Sequence, residues 1–351
     1  MFNYSVLAFG FNSFKQVNPD NNEIYVAEPS ILITDACCLP LVAVNWQTTA
    51  IVAGNCLHVF GFWDQQVGRW TATIPNPPGN ITNVAIMNGY MVLLNDLGQV
   101  WLWRPTPTTK RAAEDAPTTN SSIKTLSSDG ITKLHDDCTS IATNRTRILA
   151  VTKSKDLLVW TDIVSSPTQL LTGYITAVAC SNSHYLALSC SGEVYSWGLG
   201  IHGQLGHAVN KNTATPTIIT ALQGLKVSAI AAGAWHSVFT VDDDVYACGS
   251  NDDTQLGLID NENPSASPNV PTLIEREFTD LRKVVSGSKH TVLLADHGKS
   301  VLTVGNNHYR QCGMGHDVTS RFQKVKIPPN LEVADAVTGE WHTVLICKKM
   351  L

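Results

Sequence analysis

Four histidines are the residues of this chain whose type and spacing could do chemistry. They recur every 52 to 54 residues, each ahead of a short apolar run, at His184, His236, His290 and His342. Imidazole nitrogens bind Zn²⁺ and titrate near neutral pH, so four equivalent histidines around one axis could suggest a metal site. The same position also suits a hydrogen bond repeated between neighbouring structural units, and equivalent residues of successive units lie too far apart to share one ion. We therefore predict that these histidines are structural and that no metal is bound.

The rest of the chain offers no set of residues for catalysis. It lacks the G-x-S-x-G, H-E-x-x-H and P-loop patterns, and it has no H-x-E paired with C-x-x-C. Gly200, Gly203 and Gly206 are spaced like a nucleotide-binding loop, but no helix follows them, and that context is required. Short acidic runs such as 242–244 are typical of solvated turns. We predict a protein that is not an enzyme and that carries no cofactor.

The histidines belong to a repeat of about 50 residues, a period typical of β-propellers. Each unit begins with a Gly-x-x-His-like segment that leads into a β-branched, apolar strand. A second strand then ends in glycine, and glutamine follows six residues later, at Gly198 and Gln204, Gly249 and Gln255, and Gly305 and Gln311. The glycines of both segments suit tight turns or close contact between blades.

Weaker copies extend the repeat across the whole chain. The units are anchored at 49, 90, 146, 184, 236, 290 and 342, which makes seven. After His342 the last unit lacks its glycine strand, whereas the N-terminus carries one, with Gly10 and Gln16 at the same offset of six. The sequence therefore predicts an all-β fold with almost no long helix: one seven-bladed β-propeller over 1–351, closed by an N-terminal strand that pairs into the last, C-terminal blade.

Composition limits the classes of partner. The chain has 351 residues, of which 15% are charged, and a formal net charge of −5, which argues against broad electrostatic binding to nucleic acid. It has neither a signal-peptide pattern nor an apolar stretch long enough to span a membrane. The nine cysteines include no C-x-x-C pair, which indicates free thiols in a reducing compartment.

Two insertions and two tryptophans are the candidate binding features. The segment 104–130 is polar and is predicted to be a mobile loop between the second and third blades, with Lys110 and Arg111 as candidate docking residues. The segment 258–277 is predicted to be a second long loop, and long loops on rigid scaffolds commonly carry binding sites. Trp235 and Trp341 each precede a repeat histidine directly, so they point away from it and could serve as partner-binding anchors on one face of the ring.

The repeat resembles a known family. The segment 197–206, which reads WGLGIHGQLG, together with Gly-x-x-His, is similar to the regulator-of-chromosome-condensation repeat. The resemblance is strong over 174–206, 226–257 and 281–313, fair in the closing blade and weak before residue 160. It implies a seven-bladed propeller, in agreement with the unit count.

The N-terminal segment 8–16 and the segment 196–207 are similar to small, single-propeller members of this family. That resemblance implies a monomeric propeller that acts in the nucleus as a chromatin-associated partner of a JmjC-domain oxygenase of the lysine demethylase or hydroxylase type. It also implies a role in histone methylation and chromosome segregation, with the cytoplasm as a second location. Two alternatives stay open: a guanine-nucleotide exchange factor for a small Ran-like GTPase, in which some repeat histidines would line the GTPase-binding face, and direct binding of histones or nucleosomes.

Overall fold

The structure, a computed structural model, describes residues 3–75, 79–106, 130–163, 165–258, 266–274, 278–315 and 318–350. Within these ranges the chain forms 28 β-strands and two short 3₁₀ turns, at Thr220–Leu222 and Asp296–Gly298, and no α-helix. No helix of these ranges is therefore long and apolar enough to cross a membrane. The strands form seven antiparallel four-stranded sheets, which are the blades of a propeller.

The strands follow one another blade by blade along the chain. Blades 1 to 3 contain β3 (Leu41–Val44), β4 (Thr48–Ala53), β5 (Cys56–Trp63) and β6 (Gln66–Thr73); β7 (Ile81–Met87), β8 (Tyr90–Asn95), β9 (Val100–Trp103) and β10 (Ile131–His135); and β11 (Cys138–Thr143), β12 (Ile148–Thr152), β13 (Leu157–Trp160) and β14 (Thr168–Leu171). Blades 4 to 6 contain β15 (Ile175–Cys180), β16 (His184–Ser189), β17 (Val194–Gly198) and β18 (Thr213–Ile218); β19 (Ala229–Ala232), β20 (His236–Val241), β21 (Asp244–Gly249) and β22 (Thr272–Ile274); and β23 (Lys283–Ser286), β24 (His290–Ala295), β25 (Ser300–Asn306) and β26 (Val318–Lys324).

Blade 7 combines strands from both ends of the chain. Its order is β2 (Tyr25–Ala36), β1 (Tyr4–Phe11), β28 (His342–Lys349) and β27 (Leu331–Thr338). The central pair runs antiparallel from Tyr4 opposite Lys348 to Gly10 opposite His342. An N-terminal strand thus occupies the third position of the last blade, and the six-residue offset from Gly10 to Gln16 matches that of the complete units.

The hydrophobic core lies between successive blades. In each blade the second strand is almost wholly buried, as in β8 and β16, because β-branched and aliphatic side chains on both faces pack against the two neighbouring sheets. The interface between blades 1 and 2 is rich in tryptophan, with Trp63, Trp70 and Trp103 all buried. These large side chains fill the interface where the repeat motif is weakest.

Two kinds of connection lie on one face of the ring. In an antiparallel blade, the turn between the first and second strands and the loop between the third and fourth strands come at the same end. We call this end the channel face, because the first-strand turns of all seven blades surround the ring axis there. Both insertions connect the third strand of a blade to its fourth strand, so both begin on the channel face.

The structure corrects the position of the first insertion and the secondary structure of the second. The segment 104–130 does not bridge the second and third blades: β10 follows it and pairs with β9 in blade 2, with Ile131 opposite Trp103. The cause is that β10 is a short, half-buried edge strand without a clear apolar alternation. The segment 258–277 is not entirely a loop, because Thr272–Ile274 forms β22. Residues 107–129, 259–265 and 275–277, including Lys110 and Arg111, lie outside the described residues.

Candidate functional site

The four repeat histidines join neighbouring blades. Each begins the second strand of its blade and is fully buried, and each places Nε2 within hydrogen-bonding distance of a hydroxyl of the next blade. The distances are 2.7 Å from His184 to Ser237, 3.1 Å from His236 to Thr291, 3.1 Å from His290 to Thr343 and 3.0 Å from His342 to Thr49. The links run from blade 4 through blades 5, 6 and 7 to blade 1, across the closing blade.

The hydroxyls explain which imidazole nitrogen carries the proton. Thr291 donates to the carbonyl oxygen of Gln255 at 2.7 Å, and Thr343 donates to that of Gln311 at 2.8 Å. Because each hydroxyl has only one proton to donate, it must accept from the histidine, which therefore carries hydrogen on Nε2. The repeat histidine and the repeat glutamine of one blade thus bind the same hydroxyl of the next blade, one through its ring and the other through its carbonyl oxygen.

The glycine of the Gly-x-x-His segment is required by the imidazole ring. A Cβ atom on Gly233 would overlap Cε1 of His236, and the corresponding glycines of the next two blades meet their histidines in the same way. Blade 4 differs, because serine replaces this glycine there: Ser181 Oγ lies 3.1 Å from Nδ1 of His184. In that blade the extra atoms are accommodated by a hydrogen bond to the ring.

Burial lowers the pKa of each repeat histidine to about 3. The rings are therefore neutral at physiological pH, and a buried neutral imidazole already engaged at Nε2 has no exposed nitrogen to offer a substrate. Across the described ranges, no group of three or more histidine, cysteine, aspartate or glutamate side chains converges as metal ligands. The histidines therefore stabilise the packing of the blades, and any binding site for a partner must lie on the surface of the ring.

Strand register corrects two of the sequence anchors. In blade 1, Thr48 lies opposite Gly61, as His342 lies opposite Gly10, so Thr48 and not Thr49 is the histidine equivalent. In blade 3, Ile148 lies opposite Trp160, as Tyr185 lies opposite Trp197 in blade 4. The anchor is the residue before this pair, so it moves from 146 to 147. Neither unit has a histidine to mark the position, so the sequence alone placed the anchor one residue late in blade 1 and one residue early in blade 3.

The mouth of the ring axis forms a cavity of about 540 Å³ on the channel face. The first-strand turns of all seven blades line it, mostly with small or polar residues. The charged side chains of its lining are Asp64, Arg145 and Glu340. Arg145 reaches from blade 3 to Glu340 of blade 7, with 2.7 Å between Nη2 and Oε1, and its guanidinium lies 5.8 Å from the ring centre of Trp46 in blade 1.

A continuous aromatic surface extends outward from this mouth over blades 6, 7 and 1. Its ring centres are 5.0 to 6.0 Å apart, in edge-to-face contacts. All of its members are half-buried rather than buried, so each ring keeps an exposed part. We call this set the aromatic crescent: Phe11, Phe14, Trp46, Phe62, Tyr309 and Trp341.

The structure separates the two tryptophans proposed as anchors. Both lie half-buried on the channel face. Trp341 belongs to the aromatic crescent through Tyr309, whereas Trp235 packs on His202, 4.8 Å between ring centres, on the side of blades 4 and 5. Sequence reasoning missed the other members of the crescent because they come from strand ends and loops of three different blades. The one available signal was the aromatic pattern of the segment 9–14, which holds three phenylalanines.

The protein is thus a seven-bladed β-propeller, and its candidate binding features, the axial cavity and the aromatic crescent, lie on its surface. The model of the regulator of chromosome condensation (RCC1) repeat matches residues 191–240 and 242–294, and a second RCC1-repeat model matches 175–204. The chain therefore carries RCC1 repeats between residues 175 and 294, as its motif indicates.

Several characterised proteins share sequence with this chain. The ultraviolet-B receptor UVR8 of Arabidopsis thaliana is 35% identical over 189 residues, which cover 52% of this chain and 42% of the receptor. RCC1 domain-containing protein 1 is 39% identical over 116 residues in Mus musculus, covering 33% of this chain and 29% of that protein. The human protein is 29% identical over 201 residues, covering 46% and 53%. The matches thus span less than two thirds of each relative's own length.

Solved structures confirm the fold. Human WBSCR16 superposes with a TM-score of 0.80 at 17% identity and covers 99% of this chain and 100% of that one. Prp20p from Saccharomyces cerevisiae gives 0.80 at 18% identity, with 99% and 92% covered. At this level of identity the likeness concerns the propeller alone.

Proposed function

We propose that this protein is a non-enzymatic interaction platform: a chromatin-associated, nuclear partner of a JmjC-domain oxygenase of the histone lysine demethylase or hydroxylase type. In this function, the rigid ring presents a surface that positions or stabilises the enzyme. The complex would act in histone methylation and chromosome segregation.

The aromatic crescent is the observation that carries the proposal. Half-buried aromatic side chains on a rigid support are typical anchors of protein interfaces, because they bury a large area at a small cost in side-chain entropy. The crescent joins rings of neighbouring loops, such as Phe14 and Trp46 with centres 5.2 Å apart, into one surface. The buried, neutral histidines below it offer no competing catalytic site.

Sequence similarity supports the choice of partner. RCC1 domain-containing protein 1 is among the relatives, and the resemblance to small single-propeller members at segments 8–16 and 196–207 implies a JmjC-domain partner. The first of these segments contributes Phe11 and Phe14 to the crescent. The resembling residues and the candidate interface therefore overlap.

Co-purification tests the proposal. Tagged wild-type protein from its native cells is expected to retain a JmjC-domain oxygenase, and Tyr309→Ala combined with Trp341→Ala is expected to lose it. Ile201→Ala is the matched control, because Ile201 is an exposed apolar residue of blade 4 at 54% exposure, away from the crescent. Absence of any such oxygenase from the wild-type sample contradicts the proposal.

A second candidate is nucleotide exchange on a small Ran-like GTPase. It is favoured by the shared fold of Prp20p, which is described as binding Gsp1p and histones. Release of labelled GDP from Ran-like GTPases, measured with and without the propeller, separates the two functions. A gel-shift titration with nucleosomes over a salt series tests direct histone or nucleosome binding in the same way.

A further inference from the structure

Arg145 occupies a site that the other blades build. Its side chain leaves the first-strand turn of blade 3 and ends between two groups of distant blades. Nη2 lies 2.7 Å from Oε1 of Glu340 in blade 7, and the guanidinium carbon lies 5.8 Å from the ring centre of Trp46 in blade 1. A carboxylate and an indole face are the two groups that best recognise a guanidinium group.

Both recognising groups are held without help from Arg145. Asn182 donates from Nδ2 to Oε1 of Glu340 at 2.8 Å, and the backbone oxygen of Glu340 accepts from the amide of Ser288 at 2.9 Å. The Trp46 ring is fixed against Phe14, with 5.2 Å between ring centres. The Trp46–Glu340 pair is therefore a preformed cradle, and we use that name for it below.

Arg145 itself is held less firmly than the cradle. Its side chain is 53% exposed, whereas that of Glu340 is 23% exposed. An exposed ion pair contributes little because water screens it, and a long side chain loses entropy when it is fixed. A competing cation can therefore displace Arg145 at a small cost.

The charge around the cradle favours a cationic ligand. Of the charged residues that line the axial cavity, Asp64 is already paired with Arg104 at 3.0 Å. When Arg145 swings out, the carboxylate of Glu340 loses its ion partner and the mouth becomes net negative. The cavity of about 540 Å³ lies within the size range of ligand pockets and admits a long side chain.

We propose that the Trp46–Glu340 cradle binds the arginine side chain of a partner peptide, and that Arg145 is an internal occupant which the peptide displaces. Residues that flank the arginine would then lie on the aromatic crescent, which begins at Trp46. The cradle selects arginine over lysine, because a planar guanidinium stacks on an indole while donating to a carboxylate, whereas an ammonium group is a strongly hydrated point charge. This binding site is independent of the partner's identity.

Fluorescence polarisation tests the site with a fluorescein-labelled peptide of sequence Gly-Leu-Arg-Leu-Gly. Arg145→Ala removes the internal competitor and is expected to bind this peptide about tenfold more tightly than the wild type, the factor set by one exposed ion pair with a cation–π contact. Adding Glu340→Gln to Arg145→Ala is expected to reverse the gain. The matched control is Arg147→Ala, because Arg147 lies 5.3 Å from the ring centre of Tyr185, outside the cradle.

Two further peptides identify the recognised group. Replacing the arginine by citrulline keeps the shape and removes the charge, and replacing it by lysine keeps the charge and removes the plane; both are expected to weaken binding. Thermal melting of each variant shows that it is folded. Equal affinity of Arg145→Ala and wild type, or equal affinity for the arginine and citrulline peptides, overturns the proposal. Because no oxygenase is present, this result is separate from that of the co-purification.

Discussion

Replacing Thr343 by valine tests whether the histidine links between blades stabilise the ring. Thr343, His290 and Gln311 are all fully buried. The hydroxyl of Thr343 accepts from Nε2 of His290 at 3.1 Å and donates to the backbone oxygen of Gln311 at 2.8 Å. Valine has nearly the same shape, so the change removes both hydrogen bonds without opening a cavity.

The expected cost follows from the two groups left without partners. A buried donor or acceptor that loses its partner costs about 1 to 3 kcal/mol. Loss of the partners of the imidazole N–H and the glutamine carbonyl therefore lowers the free energy of unfolding by about 2 to 6 kcal/mol. That loss is a large fraction of the stability of an ordinary domain.

Urea unfolding at pH 7.5, followed by tryptophan fluorescence, measures the change. Thr343→Ser is the matched control, because Ser237 accepts from His184 in the equivalent position of blade 5. Serine keeps the hydroxyl and loses one methyl group, which costs about 1 kcal/mol. If Thr343→Val is no more destabilising than Thr343→Ser, the hydrogen-bonded link does not stabilise the ring and the reasoning fails.

Three further predictions concern the buried groups. Burial holds the pKa of the four repeat histidines at about 3, below the ordinary 6.5, so their contribution to the free energy of unfolding is constant above pH 6.5 and falls below it. The slope is about 1.4 kcal/mol per histidine and pH unit, and urea midpoints that stay level from pH 6.5 to 5 contradict it. Gly233→Ala places a Cβ into the ring of His236 and is expected to lower the melting temperature, whereas Gly315→Ala, in open space, is not; equal effects argue against the steric reason. Burial raises the pKa of Cys347 to about 12, so a thiol reagent at pH 8 is expected to modify exposed Cys37 quickly and Cys347 only after unfolding; similar rates would show that the closing blade opens readily.

The number of blades can be predicted from the sequence because each blade makes the same close contacts at the same positions of its unit. Gly249 has a φ of +108°. A Cβ atom added to it would lie 3.1 Å from Cα of Gln204 in the preceding blade. This conformation and this close approach demand glycine at the same position of each complete unit. The repeat is visible because the same geometry constrains the same residue types several times.

The surface could not be predicted in the same way. Arg145 and Glu340 are 195 residues apart, and their contact depends on the path of two turns from blades 3 and 7. Tyr309 lies in a loop and Phe11 lies at the end of β1, and the sequences there differ between units, so no repeated pattern marks these two rings. Sequence identified Trp341 because it adjoins a repeat histidine, but nothing in the spacing indicates its neighbours.

The mixed composition of blade 7 has a consequence for biosynthesis. β1 is synthesised before every other strand, yet its partner β28 emerges from the ribosome after all of them. Contacts of such large sequence separation, like that between Asp35 and Lys349, 314 residues apart, form slowly because the loop-closure entropy must be overcome first. Until then the β1–β2 pair and the inner blades expose apolar edges, which is the state most open to aggregation or chaperone binding. The ring therefore cannot close until its last strand, β28, has been synthesised.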